Sequence, residues 1–234
     1  MLGAWIMYIG TPLYNLIILD DGRNVDQKYA PSYLKSKLFL IPLYVYELWS
    51  FLSWIYCILL FSTAWKPDHW IFAHKPETTL DYLLFAIVIT FYTSLSSLAG
   101  HELLHHKEQI HKIAGSVPYF QFFYSHFYDE HVKGHHKTIA TEEDPVSHAK
   151  GKTVYRAYID SVIGSHISTW NREMKRVGFI KNRMIQFFML HLAMVATIYK
   201  VAGIGGVKFQ LLFATLGSFW LEAVNYLEHY GLRR

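Results

Sequence analysis

Five stretches of this chain are too long and too apolar for a water-soluble core. Leu2–Leu19 carries no charge, Leu38–Trp65 only Glu47, and Leu80–Gly100 only Asp81 near its start. Met184–Tyr199 is charge-free and runs on towards Gly206, and Val207–Leu227 holds Lys208 and Glu222. About 20 apolar residues cross a bilayer as a helix. The pattern therefore predicts an all-α fold, an integral membrane helical bundle of about five spans near 2–19, 38–65, 80–100, 184–205 and 207–227. Residues 1–234 then form a single membrane domain, with the segments 101–183 and 228–234 outside the spans. Charged residues are 17% of the chain, against about a quarter in soluble domains. That excludes a disordered or fibrous protein and argues against an ordinary water-soluble enzyme. Nothing in it reads as a nucleic-acid-binding pattern. Leu2–Leu19 has no basic residue before it and no small-x-small cleavage site after it, so it reads as a span and not a signal peptide. A sixth apolar stretch, Ile113–Ser125, is short and interrupted by Gly115 and Pro118. It reads as an interfacial or re-entrant segment.

The loops differ in basic charge. Asp20–Lys37 has four Lys/Arg, Lys66–Thr79 two, and the polar parts of His101–Arg183 twelve. Alternating spans put the first and third of these loops on one face together with the C-terminus, and the basic excess marks that face as the inner one. His101, His105, His106, His131, His135, His136 and His229 all fall on it.

The single cysteine, Cys57, rules out a disulfide framework, a thiolate zinc site and a Cys-ligated iron–sulfur cluster. Histidine is abundant instead, and neutral imidazole is a common ligand for iron, copper and zinc. In His101-Glu102-Leu103-Leu104-His105-His106 the i and i+4 imidazoles share a helix face, and the string satisfies His-Glu-x-x-His, a zinc-protease pattern. In Glu130-His131-Val132-Lys133-Gly134-His135-His136 a helix would spread three imidazoles over roughly 140°, which suits two metals better than one. Glu228-His229-Tyr230-Gly231 adds one imidazole after the last span. The alternative for each cluster is a set of surface histidines beside lipid headgroups. His69, His74, His111, His126, His148, His166 and His191 stand alone and read as surface or buried structural residues. Glu108-Gln109-Ile110-His111 is the lone copy of Glu-x-x-His, and a soluble-type di-iron carboxylate site needs two.

These motifs resemble those of the integral-membrane alkane monooxygenases, close to xylene monooxygenase and more distantly related to the membrane fatty-acid desaturases. The first box is similar to His-Glu-Leu-x-His-Lys, with His106 in place of lysine. The second runs from Glu130 through Gly134-His135-His136 and Ala140-Thr141 to Asp144-Pro145 and Ser147. The third is Asn225-Tyr226-Leu227-Glu228-His229-Tyr230-Gly231-Leu232, and an early Pro12…Asn15…Asp20-Asp21 stretch is weakly similar to the end of an early span. The resemblance implies two irons held by histidine alone, O2 activation and hydroxylation of an alkane, alkyl or fatty chain. It also implies electrons from a rubredoxin-type donor, docked on the basic face or only sharing it with topology-setting charges. Six of nine family ligands have counterparts: His101, His105, His131, His135, His136 and His229. Glu102, Glu130 and Glu228, each beside a ligand position, would orient imidazoles or stand as solvated neighbours.

The family's further His-x-x-His-His box has no counterpart before Arg234. A fragment, a ligand set completed by a neighbouring membrane subunit, or a non-catalytic structural relative with one metal or none would each follow, and the chain alone would then not hydroxylate alkanes. A membrane zinc protease built on His101-Glu102-x-x-His105 is the third reading. The resemblance further predicts that the six imidazoles converge on one pocket and that His106 points away from it.

Overall fold

A computed structural model describes residues 9–18, 26, 28, 29, 32, 36–64 and 78–234. His69, His74, Asp20, Asp21, most of the 20–37 and 66–79 loops and part of the first span lie outside the described residues. Every regular element among the described residues is helical. They are α1 (Thr11–Ile17), a 3-10 turn (Lys37–Leu40) leading into α2 (Ile41–Leu60), α3 (Thr79–Ser94), α4 (Ser96–Leu104), α5 (Gln109–Gly115) and α6 (Val117–Gln121). Then come α7 (Phe127–Glu130), a π-turn (His131–His135), α8 (His136–Thr138), α9 (Val154–Val177) and α10 (Arg183–His229).

Among the described residues, three segments are long and apolar enough to cross a bilayer: Lys37–Leu60, Thr79–Leu104 and Arg183–His229. Their outward faces carry large apolar residues, Leu48, Leu52, Leu84, Ile87, Phe188, Leu192 and Leu211 among them. Such a surface suits lipid.

The last segment has 47 residues, about 70 Å of helix against a hydrocarbon core of about 30 Å. It does not run straight. Gly203, with φ 66° and ψ −163°, breaks it. A left-handed φ is costly for residues with a Cβ, and the turn is closed by the Thr63 amide donating to the Ala202 carbonyl at 2.9 Å. Arg183 at one end reaches Asp129 at 3.1 Å, and the His229 ring at the other lies 4.6 Å from that of His135. The arms 183–202 and 204–229 are thus a helical hairpin with its bend at the end of α2, and the expected division near 206 falls three residues earlier.

The third span is bent too. Thr90, Ser94, Ser96 and Ser97 are buried and turn their hydroxyls back onto carbonyls three or four residues earlier, at 2.6, 2.6, 2.6 and 2.7 Å. Such back-bonding bends helices, and the break between α3 and α4 at Leu95 lies among these residues. Asp81, its one acidic residue, closes a capping box with Thr78.

Ile113–Ser125 enters the bundle. Tyr119, Gln121, Phe122 and Tyr124 are buried, and the Tyr119 hydroxyl donates to the Ser97 carbonyl at 2.7 Å. The Gln121 carbonyl accepts from Gln210 Nε2 at 2.7 Å, and Gln210 Oε1 accepts from Trp54 Nε1 at 2.7 Å. Irregular backbone is tolerated at membrane depth when protein partners satisfy it. This segment is the floor beneath the histidines.

Candidate metal centre

The helix α4 delivers His101 in its last turn and His105 just past its end. Their Nε2 atoms are 3.0 Å apart, as expected for i and i+4. The Nε2 of His101 is 2.6 Å from that of His131, and His131 Nε2 is 3.1 Å from that of His136. One row of ring nitrogens therefore links two chain segments.

The π-turn makes the second segment's contribution. In an α-helix His131 and His136 would point roughly 140° apart, whereas a turn bonded i→i+5 is wider and brings both rings to the same side. Gly134, inside that turn, is required by close approach: a Cβ there would lie 2.5 Å from Arg172 Nη1. Arg172 in turn bridges to Glu130, which also accepts from Thr169 at 2.9 Å. The guanidinium laid across Gly134 fixes the turn to α9.

His135 is buried and points to the far end of the row, where its ring meets His229 at 4.6 Å and lies 5.4 Å from His131. The His135 Nδ1 donates to Asp144 Oδ2 at 2.9 Å, and the Ser147 hydroxyl donates to the same oxygen at 2.5 Å. Burial raises the Asp144 carboxyl, but the His135 and Ser147 hydrogen bonds outweigh it and hold the group below the usual carboxylate range. The His229 Nδ1 donates to the Asn225 carbonyl at 2.8 Å. With Nδ1 occupied, Nε2 of both rings carries the free lone pair. Cross-links hold His229 there: the Gly231 amide donates to the His148 carbonyl at 2.8 Å and the Tyr226 hydroxyl to the Lys152 carbonyl at 2.7 Å.

The row fits metal better than hydrogen bonding. Two imidazoles approach His131 Nε2, which has one proton or one lone pair to offer. An ion about 2.0–2.1 Å from two nitrogens at right angles would space them by about 2.9 Å, close to the 2.6–3.1 Å observed. Burial, and then the neighbouring imidazoles, push His131 down to about 2. His136 is lowered by burial and then by His105 and His135. His131 is thereby kept neutral, the form that binds metal.

The structure brings together all six histidines singled out from the sequence. The three glutamates lie elsewhere. Glu130 faces Arg172 and Thr169, Glu102 is exposed and 4.0 Å from His106, and Glu228 is exposed. His106 turns away from the row towards His111, ring centroids 4.9 Å apart. The orienting carboxylate is Asp144, nine residues from its imidazole. Its place before Pro145 in the second motif was the one available signal, since spacing alone assigns it no role.

The sequence model of the fatty acid desaturase family matches residues 77–234, which include every histidine of the row. The chain belongs to that family. It is similar to the alkane 1-monooxygenase of Ectopseudomonas oleovorans, 26% identical over 236 residues, covering 98% of this chain and 56% of that protein. The alkane 1-monooxygenase of Acinetobacter baylyi is 27% identical over 245 residues, 99% of this chain and 56% of that one. Alkane 1-monooxygenase 1 of Pseudomonas aeruginosa is 31% identical over 145 residues, 58% of this chain and 38% of that one. This desaturase-family chain thus spans about half the length of these curated relatives. Membership and long apolar helices together make it an integral, multi-pass membrane protein.

Proposed function

We propose that this chain carries the metal-binding core of a membrane non-haem di-iron oxidase that hydroxylates an alkane or other alkyl chain with O2. One observation carries the reading: a row of imidazole Nε2 atoms from His101, His105, His131 and His136, continued by His135, whose Nδ1 is held by Asp144. His101, His105, His131 and His136 would hold iron at one end of the row, and His135 with His229 at the other. Two irons would supply the O2 activation that no side chain provides. Asp144 and the Asn225 carbonyl aim the imidazoles and raise their basicity. Phe127, stacked on His131 at 4.9 Å and on Tyr119 at 4.0 Å, walls the row off from the bundle below.

Two apolar cavities of about 500 and 430 Å3 flank the 183–202 arm, and their chemistry suits an alkyl substrate. A rubredoxin-type protein would supply electrons at the histidine end. Lys133, Lys152, Arg156, Arg172, Arg176 and Arg183 are all engaged by Asp129, Glu130, Asp160 or Glu173. Docking of an acidic carrier would therefore rest on other lysines of that face. The zinc-protease reading needs Glu102 beside the ion, whereas Glu102 is exposed and directed at His106. The test is iron loading under anaerobic conditions, followed by turnover of octane with a reduced donor by the full-length protein. Bound iron with alcohol product supports the reading; zinc binding with peptide hydrolysis would replace it.

A further inference from the structure

A second group of ligand-type side chains lies beside the row without joining it. His106, Glu108 and His111 each offer one donor atom, and the three atoms lie within 4.8 Å of one another. They come from the turn after α4 and the first turn of α5. Glu108 and His111, at i and i+3, face each other at 3.8 Å. His106 stands over them, its ring 4.9 Å from that of His111.

His111 is 6% exposed, and its Nδ1 is 2.5 Å from the Tyr44 hydroxyl on α2. That contact fixes the ring and leaves Nε2 on the side of Glu108. A buried imidazole held at Nδ1 by an oxygen, with Nε2 turned to a carboxylate and a second imidazole, is the outer-sphere arrangement of a metal-ligating histidine.

We propose that His106, Glu108 and His111 form a separate site for one divalent, borderline-soft cation of the zinc class, with water completing a tetrahedron. Zinc takes His nitrogen at about 2.0–2.1 Å and carboxylate oxygen at about 2.0–2.2 Å, so its ligand atoms lie about 3.3–3.5 Å apart. Closing from 4.8 Å takes small rotations of Glu108, which is exposed, and of half-exposed His106. His111 stays where Tyr44 holds it. A single carboxylate and an exposed rim distinguish this site from the all-imidazole row, and it does not depend on the row holding iron. The ion would tie the turn that carries His105 to the start of α2, bracing one end of the row from outside.

The experiment uses the full chain in lipid nanodiscs, stripped of metal, loaded with Zn2+ and desalted before metal analysis. Wild type, H106A and an H101A/H131A variant that disables the nearer end of the row are compared. Wild type should retain one zinc more than H106A. H101A/H131A should retain one zinc more than the same variant carrying H106A as well. Zinc should also raise the melting temperature of H101A/H131A, because a ligand bound only by the folded state stabilises it, and the rise should be smaller once H106A is added. His106 is half-exposed, so metal-free H106A should melt like metal-free wild type. Equal zinc content in wild type and H106A, or in H101A/H131A with and without H106A, overturns the proposal.

Discussion

Two groups of histidines in this protein are equally crowded and chemically opposite. In the row, His101, His105, His131 and His136 turn their Nε2 atoms on one another at 2.6–3.1 Å. Beside the 500 Å3 cavity, His126 and His166 are closer still by ring centroid, 3.9 Å, and His191 completes a trio. Each of these is tied elsewhere: His126 to Ser165 at 3.1 Å, His166 to the Val162 carbonyl at 2.7 Å, His191 to Ser125 at 2.8 Å. Ring proximity does not make a ligand set. What separates the groups is which nitrogens remain free and where they converge.

The comparison breaks most visibly at His131. H131A should lose iron retention and lower turnover by more than about 100-fold, since His131 sits between two other donors and a site without its ligand set has no fixed geometry. H191A should keep its iron. Similar iron loss in both variants, measured by metal analysis after desalting, would erase the distinction.

A smaller effect is expected at Asp144. D144N keeps the shape but weakens the acceptor for His135 Nδ1, and loss of such a partner typically costs 10–100-fold in metal affinity. Competition with a chelator of known affinity measures it. An unchanged constant would mean that Asp144 only braces the loop.

Next is Gly134. G134A forces a methyl against the Arg172 guanidinium and should destabilise the protein by about 1–3 kcal/mol, the usual range for overpacking. Combining it with R172A should recover part of that loss in a denaturant melt. No recovery would show that the π-turn needs glycine for another reason.

The cavity group should declare itself through pH. Burial, and then His166, hold His126 well below its ordinary value, and burial lowers His166 against the Val162 hydrogen bond. A histidine depressed in the fold binds fewer protons there than in the unfolded chain, so stability falls as pH drops below the unfolded value of about 6.5. Metal-free protein should melt progressively lower from pH 7 to pH 5, with the depressed His131 and His136 of the row adding to the same fall. A flat profile would mean that these imidazoles take up protons in place.

The sequence showed much of this and missed some for definite reasons. Apolar runs such as Leu38–Trp65 and Leu80–Gly100 announce membrane helices because lipid contact needs apolar side chains all along the outer face. His101 and His105 were legible because i, i+4 spacing survives in the fold. His131 and His136 were harder: α-helical geometry spreads them apart, and the π-turn that unites them rests on Arg172, 38 residues after Gly134. Asp144 and Tyr44 reach their imidazoles only through tertiary folding, which no local spacing encodes. Glutamates adjacent in sequence to the histidines were a poor guide, since neighbouring residues on a helix point to different sides. The hairpin bend was nearly legible, and among the glycines around it the structure chose Gly203, where Thr63 closes the turn.

The account stands or falls on the first coordination shell of the row. Fe K-edge X-ray absorption on the iron-loaded protein measures it directly. The prediction is a shell of imidazole nitrogen near the roughly 2.0–2.1 Å typical of metal–imidazole bonds, with outer imidazole scattering that H131A diminishes. A spectrum that H131A leaves unchanged, or a shell dominated by bridging carboxylate oxygen, would contradict it.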